Sequence, residues 1–199
     1  MAGLPAMRGE SSSQSGPSDG DLMTRLAGGD REALEPLMER HQRRLYRLAL
    51  AYLRNADDAL DVVQETFVRA YRNAGRWRAD REVAAWLTRI AINQSIDRYR
   101  RERYRRRFVE PLEDETPMVA PAAQASPERA VGAREIEERV GAAVLALPEK
   151  QRAVFLLRHR EDMPLEEIGR TLGLNLGTVK SSLHRAVTRL RAQLEGMRP

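Results

Sequence analysis

Three carboxylates recur at helical spacing in the first third of the chain, where they could hold a divalent metal or bind a basic partner. Asp58, Asp61 and Glu65 share one face of a predicted helix, and Gln64 lies at the flank of that face. A nuclease that uses these three acids with a divalent metal is one interpretation. A solvated helix face with an ion pair from Glu65 to Arg69 is another, and periodicity alone favours it over a metal site.

Arginines dominate a second segment, residues 93–107, which reads NQSIDRYRRERYRRR. Its last ten residues hold seven arginines and one glutamate, with Tyr99 and Tyr104 between the arginines. Cationic surfaces with aromatic rings bind nucleic-acid backbones and stack on unpaired bases. The segment therefore predicts a nucleic-acid contact, and a basic helix end that only aids solubility is the alternative.

A third group of polar residues belongs to a predicted helix-turn-helix at 164–187. Pro164 suits the first turn of a helix, Gly173 a left-handed turn, and Asn175 the cap of the following helix. The outward face of that second helix is predicted to carry Thr178, Lys180, Ser181, Ser182, His184 and Arg185. Such a face fits the major groove of DNA, whereas a solvated helical hairpin would usually carry mixed charge there.

The whole chain has a net charge of +5 and a pI near 10.0, and its basic residues are almost all arginine. A polyanionic partner suits this balance, but a membrane surface or a GC-rich genome would also produce it. The absence of cysteine excludes disulfides and thiolate chemistry, and the histidines are not paired at ligand spacing, so no metal or other cofactor is expected. No apolar stretch suggests a membrane span or a signal peptide, which predicts a cytoplasmic protein.

Composition divides the chain into two helical blocks. The predicted parts are a disordered leader at 1–20, a helical domain at 21–108, a flexible acidic linker at 109–127 and a second helical domain at 128–195. Apolar residues recur at helical spacing in both blocks, and strand-type alternation is absent from the sequence. The predicted fold is therefore all-α, with two small domains.

Local signals place the helices of the first block. Asp21 and Asp30 are predicted to cap the first two helices, and a later helix is predicted to begin near Val83 with Trp86 in the core. The apolar stripe predicted for the intervening helix consists of Leu60, Val63, Phe67, Ala70 and Ala74. These stripes must position the polar residues described above.

Three segments resemble the extracytoplasmic-function (ECF) sigma factors of bacteria, in the order of that family. Residues 57–77, beginning DDALDVVQETFVRAY, resemble conserved region 2.2. Residues 85–93, AWLTRIAIN, followed by SIDRY at 95–99, resemble regions 2.3 and 2.4. Residues 147–157, LPEKQRAVFLL, resemble region 4 together with the helix-turn-helix. The resemblance covers nearly all of the chain outside the leader and the linker.

The resemblance implies a subunit that performs no chemistry itself and takes core RNA polymerase to particular promoters. Asp61, Gln64 and Glu65, with Asp58 beside them, would bind the clamp helices of the polymerase β′ subunit. Members of the family are commonly held inactive by an anti-sigma factor, so such a partner is expected here as well.

For promoter DNA, the resemblance implies two contacts. Asn93 would line a pocket for a base flipped out of the minus-10 element, and Arg98, Arg100 and Arg101 would lie along that DNA. The residues that would face the minus-35 element in the major groove are Lys180, Ser181, His184 and Arg185.

Two further interpretations concern the rest of the chain. A free-standing regulator similar to the LuxR type would explain the helix-turn-helix, but it leaves residues 57–107 without a function. The acidic linker is expected to follow the RNA exit path of the polymerase, as in the family. Mimicry of RNA is a hypothesis for its acids, which are Glu110, Glu113, Asp114 and Glu115.

Overall fold

The computed structural model describes residues 16–108 and 138–195, and every regular element in these two ranges is helical. The helices are α1 (Asp19–Ala27), α2 (Leu34–Leu53), α3 (Ala56–Arg72), α4 (Val83–Phe108), α5 (described over 138–145), α6 (Glu149–His159), α7 (Leu165–Leu172) and α8 (Leu176–Glu195). The all-α prediction is confirmed. Most of the predicted leader and the acids of the predicted linker lie outside the described residues. The leader was predicted to run too far, because Asp19 and Gly20 already belong to α1.

The first four helices bury a shared apolar core. Four residues of the predicted stripe are buried, namely Val63, Phe67 and Ala70 on α3 and Ala74 in the 3₁₀ turn that follows it. Leu60 is 50% exposed, and its assignment to the core was wrong. The buried face is centred on Ala59, Val62 and Thr66, which places Leu60 beyond its edge. This exposed leucine belongs to a surface described below.

Side-chain caps fix where the helices begin. Ser18, and not Asp21, caps α1: the Asp21 amide donates to Ser18 Oγ at 3.2 Å, and the Ser18 amide donates to Asp21 Oδ2 at 3.0 Å. The pair forms a capping box, in which the acid occupies the third helical position. Asp30 caps the short 3₁₀ turn Arg31–Ala33 that leads into α2, and Asn55 caps α3.

Asp19 fastens α1 to α2. Its Oδ1 accepts a hydrogen bond from Arg40 Nη1 at 2.7 Å, and its Oδ2 lies 2.6 Å from Nε2 of His41, which is 8% exposed. Burial by itself would raise the pKa of Asp19, but the hydrogen bonds from Arg40 and His41 outweigh it and hold that pKa below 3.8.

Replacing Asp19 by asparagine is expected to lower the free energy of unfolding by roughly 1 kcal/mol at pH 7, because the charged hydrogen bonds are lost. In the wild type the folded pKa lies below the unfolded value, so this stabilisation is present above about pH 4 and disappears as the pH falls through the folded pKa. Urea unfolding at several pH values measures both effects. Asp57→Asn, at an exposed acid of α3, is the control, and an equal loss in both variants would contradict the prediction.

The predicted helix-turn-helix is confirmed as α7 and α8. Gly173 adopts the left-handed conformation at φ +66°, and Asn175 Oδ1 accepts a hydrogen bond from the Thr178 amide at 2.8 Å. Gly169 lets the turn close tightly, since a Cβ there would lie 2.7 Å from the carbonyl oxygen of Leu174. Gly169, Gly173 and Asn175 thus define the turn between α7 and α8.

The two helical blocks also pack against each other. A second apolar cluster joins Leu48, Tyr52 and Ile92 of the first block to residues of the C-terminal helices, among them Val154 and Leu157. Among the described residues, no helix is both long enough and apolar enough to cross a membrane.

Candidate functional site

The outer face of α3 combines acidic and apolar side chains. Asp61 and Gln64 are exposed there, and they are flanked by Leu60 and by Val68, which is 39% exposed. Leucine and valine on a charged surface are typical of a protein interface. No group of three metal-ligating side chains occurs in the described ranges.

Arg98 of α4 ties the acids of α3 together. Its Nε donates to Asp58 Oδ1 at 2.6 Å, and its Nη2 lies 2.8 Å from Asp61 Oδ2. Burial by itself would lower the pKa of Arg98, but these two carboxylates raise it. In the structure the Arg98 guanidinium thus lies against the acidic face, and its contact with minus-10 DNA stays a prediction.

Glu65 forms an ion pair with Arg69 on the same helix. Arg69 Nε donates to Glu65 Oε1 at 2.8 Å, which is the i,i+4 pair expected from the sequence. That hydrogen bond lowers the pKa of Glu65. All three acids are thus paired with arginines, but Asp61 keeps 53% of its side chain exposed against 24% for Asp58. Asp61 and the exposed Gln64 are therefore the more accessible polar groups of the face.

A cationic cavity of about 350 Å³ lies where the end of α3, the following turn and α4 meet. Its lining combines arginines with an indole ring and two amides: Arg69, Asn73, Arg76, Arg78, Arg81, Trp86, Arg89, Ile90 and Asn93. Arginines can bind phosphates, the indole can stack on a base, and an amide can pair with a base edge. The cavity is suited to an unstacked nucleotide.

The sequence interpretation placed only Asn93 at this cavity. Trp86 was expected in the core, but it is half-buried and lines the cavity. The surrounding arginines were missed because they come from three successive elements. The run RWRADR at residues 76–81 is a signal that could have found them, since it places three arginines directly before α4.

The two remaining arginines assigned to this DNA differ in their surroundings. Both Arg100 and Arg101 are exposed on α4. Arg101 Nε donates to the Asp97 carbonyl at 3.3 Å, whereas Arg100 Nε donates to Glu149 of α6 at 2.7 Å, which raises the pKa of Arg100. Only the second of these contacts joins the two helical blocks.

The outward face of α8 carries most of the predicted groups. Lys180, His184 and Arg185 are exposed, and Thr178 and Ser181 are half-buried. Ser182 is 7% exposed, so its assignment to this face was wrong. The buried stripe of α8 consists of Val179, Ser182, Ala186 and Leu190, and spacings of three and four turn Ser182 inward. The remaining face is cationic, as a major-groove helix requires.

Lys180→Ala and Ser182→Ala are expected to separate DNA contact from packing. Loss of Lys180 should weaken binding to duplex DNA. It should also reduce the slope of log affinity against log salt concentration by about 0.9 in magnitude, which is the value for one phosphate contact. Ser182→Ala should leave that salt dependence unchanged, because its side chain is buried. Titrations at several salt concentrations measure this, and an equal slope for wild type and Lys180→Ala would contradict it.

Comparison with known protein families divides the chain into the same two helical blocks. The sigma-70 region 2 family matches residues 37–105, and the sigma-70 region 4 family matches residues 137–190. ECF RNA polymerase sigma factor SigM of Mycobacterium tuberculosis is 37% identical over 173 residues, covering 87% of this chain and 83% of SigM. SigW of Bacillus subtilis is 34% identical over 173 residues, covering 85% of this chain and 92% of SigW.

Solved structures share the fold. CnrH, solved in complex with the cytosolic domain of CnrY, superposes with a TM-score of 0.67 at 28% identity, covering 90% of this chain and 99% of CnrH. The sigma factor RpoE from Bartonella quintana, solved with the anti-sigma factor NepR, gives a TM-score of 0.66 at 22% identity, covering 82% of this chain and 98% of RpoE. The helices of RpoE are arranged as in this chain.

These matches, together with the helix-turn-helix and the cationic cavity, define a sigma factor of the sigma-70 class. Within that class the chain belongs to the ECF sigma factors. It is a non-enzymatic factor that directs transcription initiation by RNA polymerase at promoter DNA.

Proposed function

We propose that the outer face of α3 is the surface that binds core RNA polymerase at the clamp helices of β′. The exposed pair Asp61 and Gln64 supports this assignment, together with the exposed apolar residues Leu60 and Val68. An interface needs an apolar centre as well as polar groups, and this face offers both. Asp58 and Glu65 contribute from its edges, and Arg98 positions the acids.

The cavity beside Asn93 is assigned to a base flipped out of the minus-10 element. Its arginines neutralise the backbone on either side, and the indole of Trp86 offers a stacking surface. Arg100 and Arg101 extend this surface along α4. The single observation that carries the proposal is the convergence of an amide, an aromatic ring and five arginines in one cavity.

The outward face of α8 is assigned to the minus-35 element in the major groove. Lys180, His184 and Arg185 would make its main contacts, with Thr178 and Ser181 beside them. The domain boundaries proposed for these roles are 19–108, which begins with α1, and 128–195, joined by the linker at 109–127. The protein is proposed to act in the cytoplasm, where the polymerase is found.

An anti-sigma factor is proposed as a further partner. The support comes from a structural relative. CnrH was solved with the cytosolic domain of CnrY, and its match covers 90% of this chain. Such a partner would hold the factor away from the polymerase until it is released.

Run-off transcription with purified bacterial core polymerase on a promoter library tests the division of roles. Asp61→Ala should lose transcripts through weaker core binding, while Asn93→Ala should alter the promoters that are chosen. A shift of specific duplexes by the protein alone, without transcripts, would favour a free-standing regulator. Magnesium-dependent cleavage of DNA would favour a nuclease that uses Asp58, Asp61 and Glu65.

A further inference from the structure

Residues 76–82, the arginine loop, run from the end of the 3₁₀ turn Ala74–Arg76 to the start of α4. They supply three of the five arginines of the cavity beside Asn93 (the base cavity), namely Arg76, Arg78 and Arg81. All three residues are exposed, and their like charges repel one another. A cavity that binds a nucleotide with these groups therefore needs contacts that hold the loop in one shape.

Several hydrogen bonds join the loop to itself. The Arg81 amide donates to the Arg78 carbonyl at 2.9 Å, and the Trp77 amide donates to the Ala74 carbonyl at 3.0 Å. Arg78 also pairs with Asp80, from Nε to Oδ1 at 3.2 Å and from Nη2 to Oδ2 at 3.1 Å. Bonds over so short a span set the local turns, but they do not fasten the loop to the helices.

Trp77 is the loop residue that packs against the helices. Its side chain is half-buried against the apolar core of the first helical block. Gly20 of α1 lies beside the ring, since a Cβ at Gly20 would be 3.6 Å from Cη2 of the indole. Trp77 is not among the residues that line the base cavity. Its ring is thus held by the core and by α1.

The indole N–H links this ring to the arginines of the loop. Trp77 Nε1 donates to the Arg81 carbonyl at 3.2 Å. Beyond Arg81, the chain enters α4 at Val83, which is buried. The hydrogen bond therefore closes residues 77–81 over a ring that is itself fixed, and it sets the backbone from which the Arg78 and Arg81 side chains extend. Side chains that are already positioned lose less conformational entropy on binding.

We propose that Trp77 is a positioning residue for promoter recognition, and that its indole N–H holds the arginine loop in the shape that the base cavity requires. The inference rests on the function proposed for the cavity beside Asn93. Trp77 acts through Arg78 and Arg81 and does not contact the base itself. Base discrimination then depends on a residue outside the cavity.

Trp77→Phe is the variant that tests this role, because it keeps an aromatic ring at the core and removes the hydrogen-bond donor. Tyr46→Phe is its matched control: it also removes a polar hydrogen from a half-buried ring that packs on the same core, and Tyr46 does not line the base cavity. Far-UV circular dichroism and the thermal unfolding midpoint should show that both variants fold.

Limited trypsin digestion, followed by mass spectrometry, measures the order of the loop without DNA. Trypsin cuts after Arg76, Arg78 and Arg81, and the rate of cutting follows the population of the open loop. Cleavage there should be roughly 2- to 12-fold faster in Trp77→Phe, the range that the loss of one hydrogen bond implies, and unchanged in Tyr46→Phe. Cleavage after Arg185 on α8 should be equal in all three proteins. Loop cleavage as slow in Trp77→Phe as in wild type would overturn the inference.

Promoter preference is measured separately, by run-off transcription with core polymerase on the promoter library. Trp77→Phe should lose preference roughly 2- to 12-fold at the minus-10 position that depends on Asn93, and it should keep the minus-35 preferences. A uniform loss at all positions, or no loss while Asn93→Ala still alters the preference, would overturn the inference alone. Unchanged preference in both variants would overturn the function proposed for the cavity, and the inference with it.

Discussion

Leu60→Asp is expected to weaken binding of the chain to core RNA polymerase by roughly 30- to 1000-fold, as about 2 to 4 kcal/mol at the centre of an interface implies. Leu60 is 50% exposed on α3 and sits next to Asp61 and Gln64 on the face proposed for the polymerase. An aspartate there would have to be desolvated on binding without an apolar contact to replace the leucine. Binding to labelled core polymerase, followed by fluorescence anisotropy, measures the loss.

Val140→Asp is the matched control, because Val140 is a 37% exposed apolar residue on α5 of the C-terminal block. Both substitutions remove an exposed aliphatic side chain and add one negative charge. Both should leave the thermal unfolding midpoint nearly unchanged, since neither side chain is in the core. Equal core affinity for Leu60→Asp and wild type would exclude this face as the polymerase contact.

The helical wheel explains why Leu60 and Ser182 were placed wrongly from the sequence. Both lie close to the edge of an apolar stripe, where one step of about 100° moves a side chain between core and solvent. Leu60 was placed in the core because it is hydrophobic, and Ser182 was placed on the outward face because it is polar. In the structure the small residues Ala59 on α3 and Ala186 on α8 are fully buried, whereas the larger Leu60 is left exposed.

Local signals gave the turn of the helix-turn-helix correctly because they act over a few residues. Gly173 and Asn175 form their turn and cap with neighbours that the sequence places beside them. Arg98 differs, since Asp58 lies forty residues away and any exposed acid would satisfy it equally well. Its position depends on how α3 packs on α4, and no spacing rule contains that information.

Arg98 of α4 pairs with Asp58 and Asp61 of α3, and this contact links the surface proposed for the polymerase to the helix proposed for DNA. Asp61 bonds to Arg98 on one side and is exposed to a partner on the other. Its 53% exposure leaves room for a clamp residue to share the carboxylate. The acidic face therefore depends on Arg98, a residue for which the family resemblance implies a DNA contact.

Asn93→Asp is expected to reduce discrimination at one position of the minus-10 element by about 5- to 150-fold, as about 1 to 3 kcal/mol for a base contact implies. An asparagine amide offers a donor and an acceptor, whereas an ionised aspartate only accepts. The change is nearly isosteric, so the helix should fold as before. The new carboxylate would also pair with Arg89, one turn earlier on α4 and part of the same cavity.

Asn73→Asp is the control, because it adds the same charge to the same cavity at an amide whose Nδ2 already donates to the Arg69 carbonyl at 2.9 Å. Run-off transcription from a library with every minus-10 and minus-35 position varied, followed by sequencing of the transcripts, gives the preference at each position. Asn93→Asp should lose preference at a single minus-10 position and keep the minus-35 preferences. A uniform loss across positions, equal in both variants, would mean that the cavity attracts DNA through its charge and reads no base.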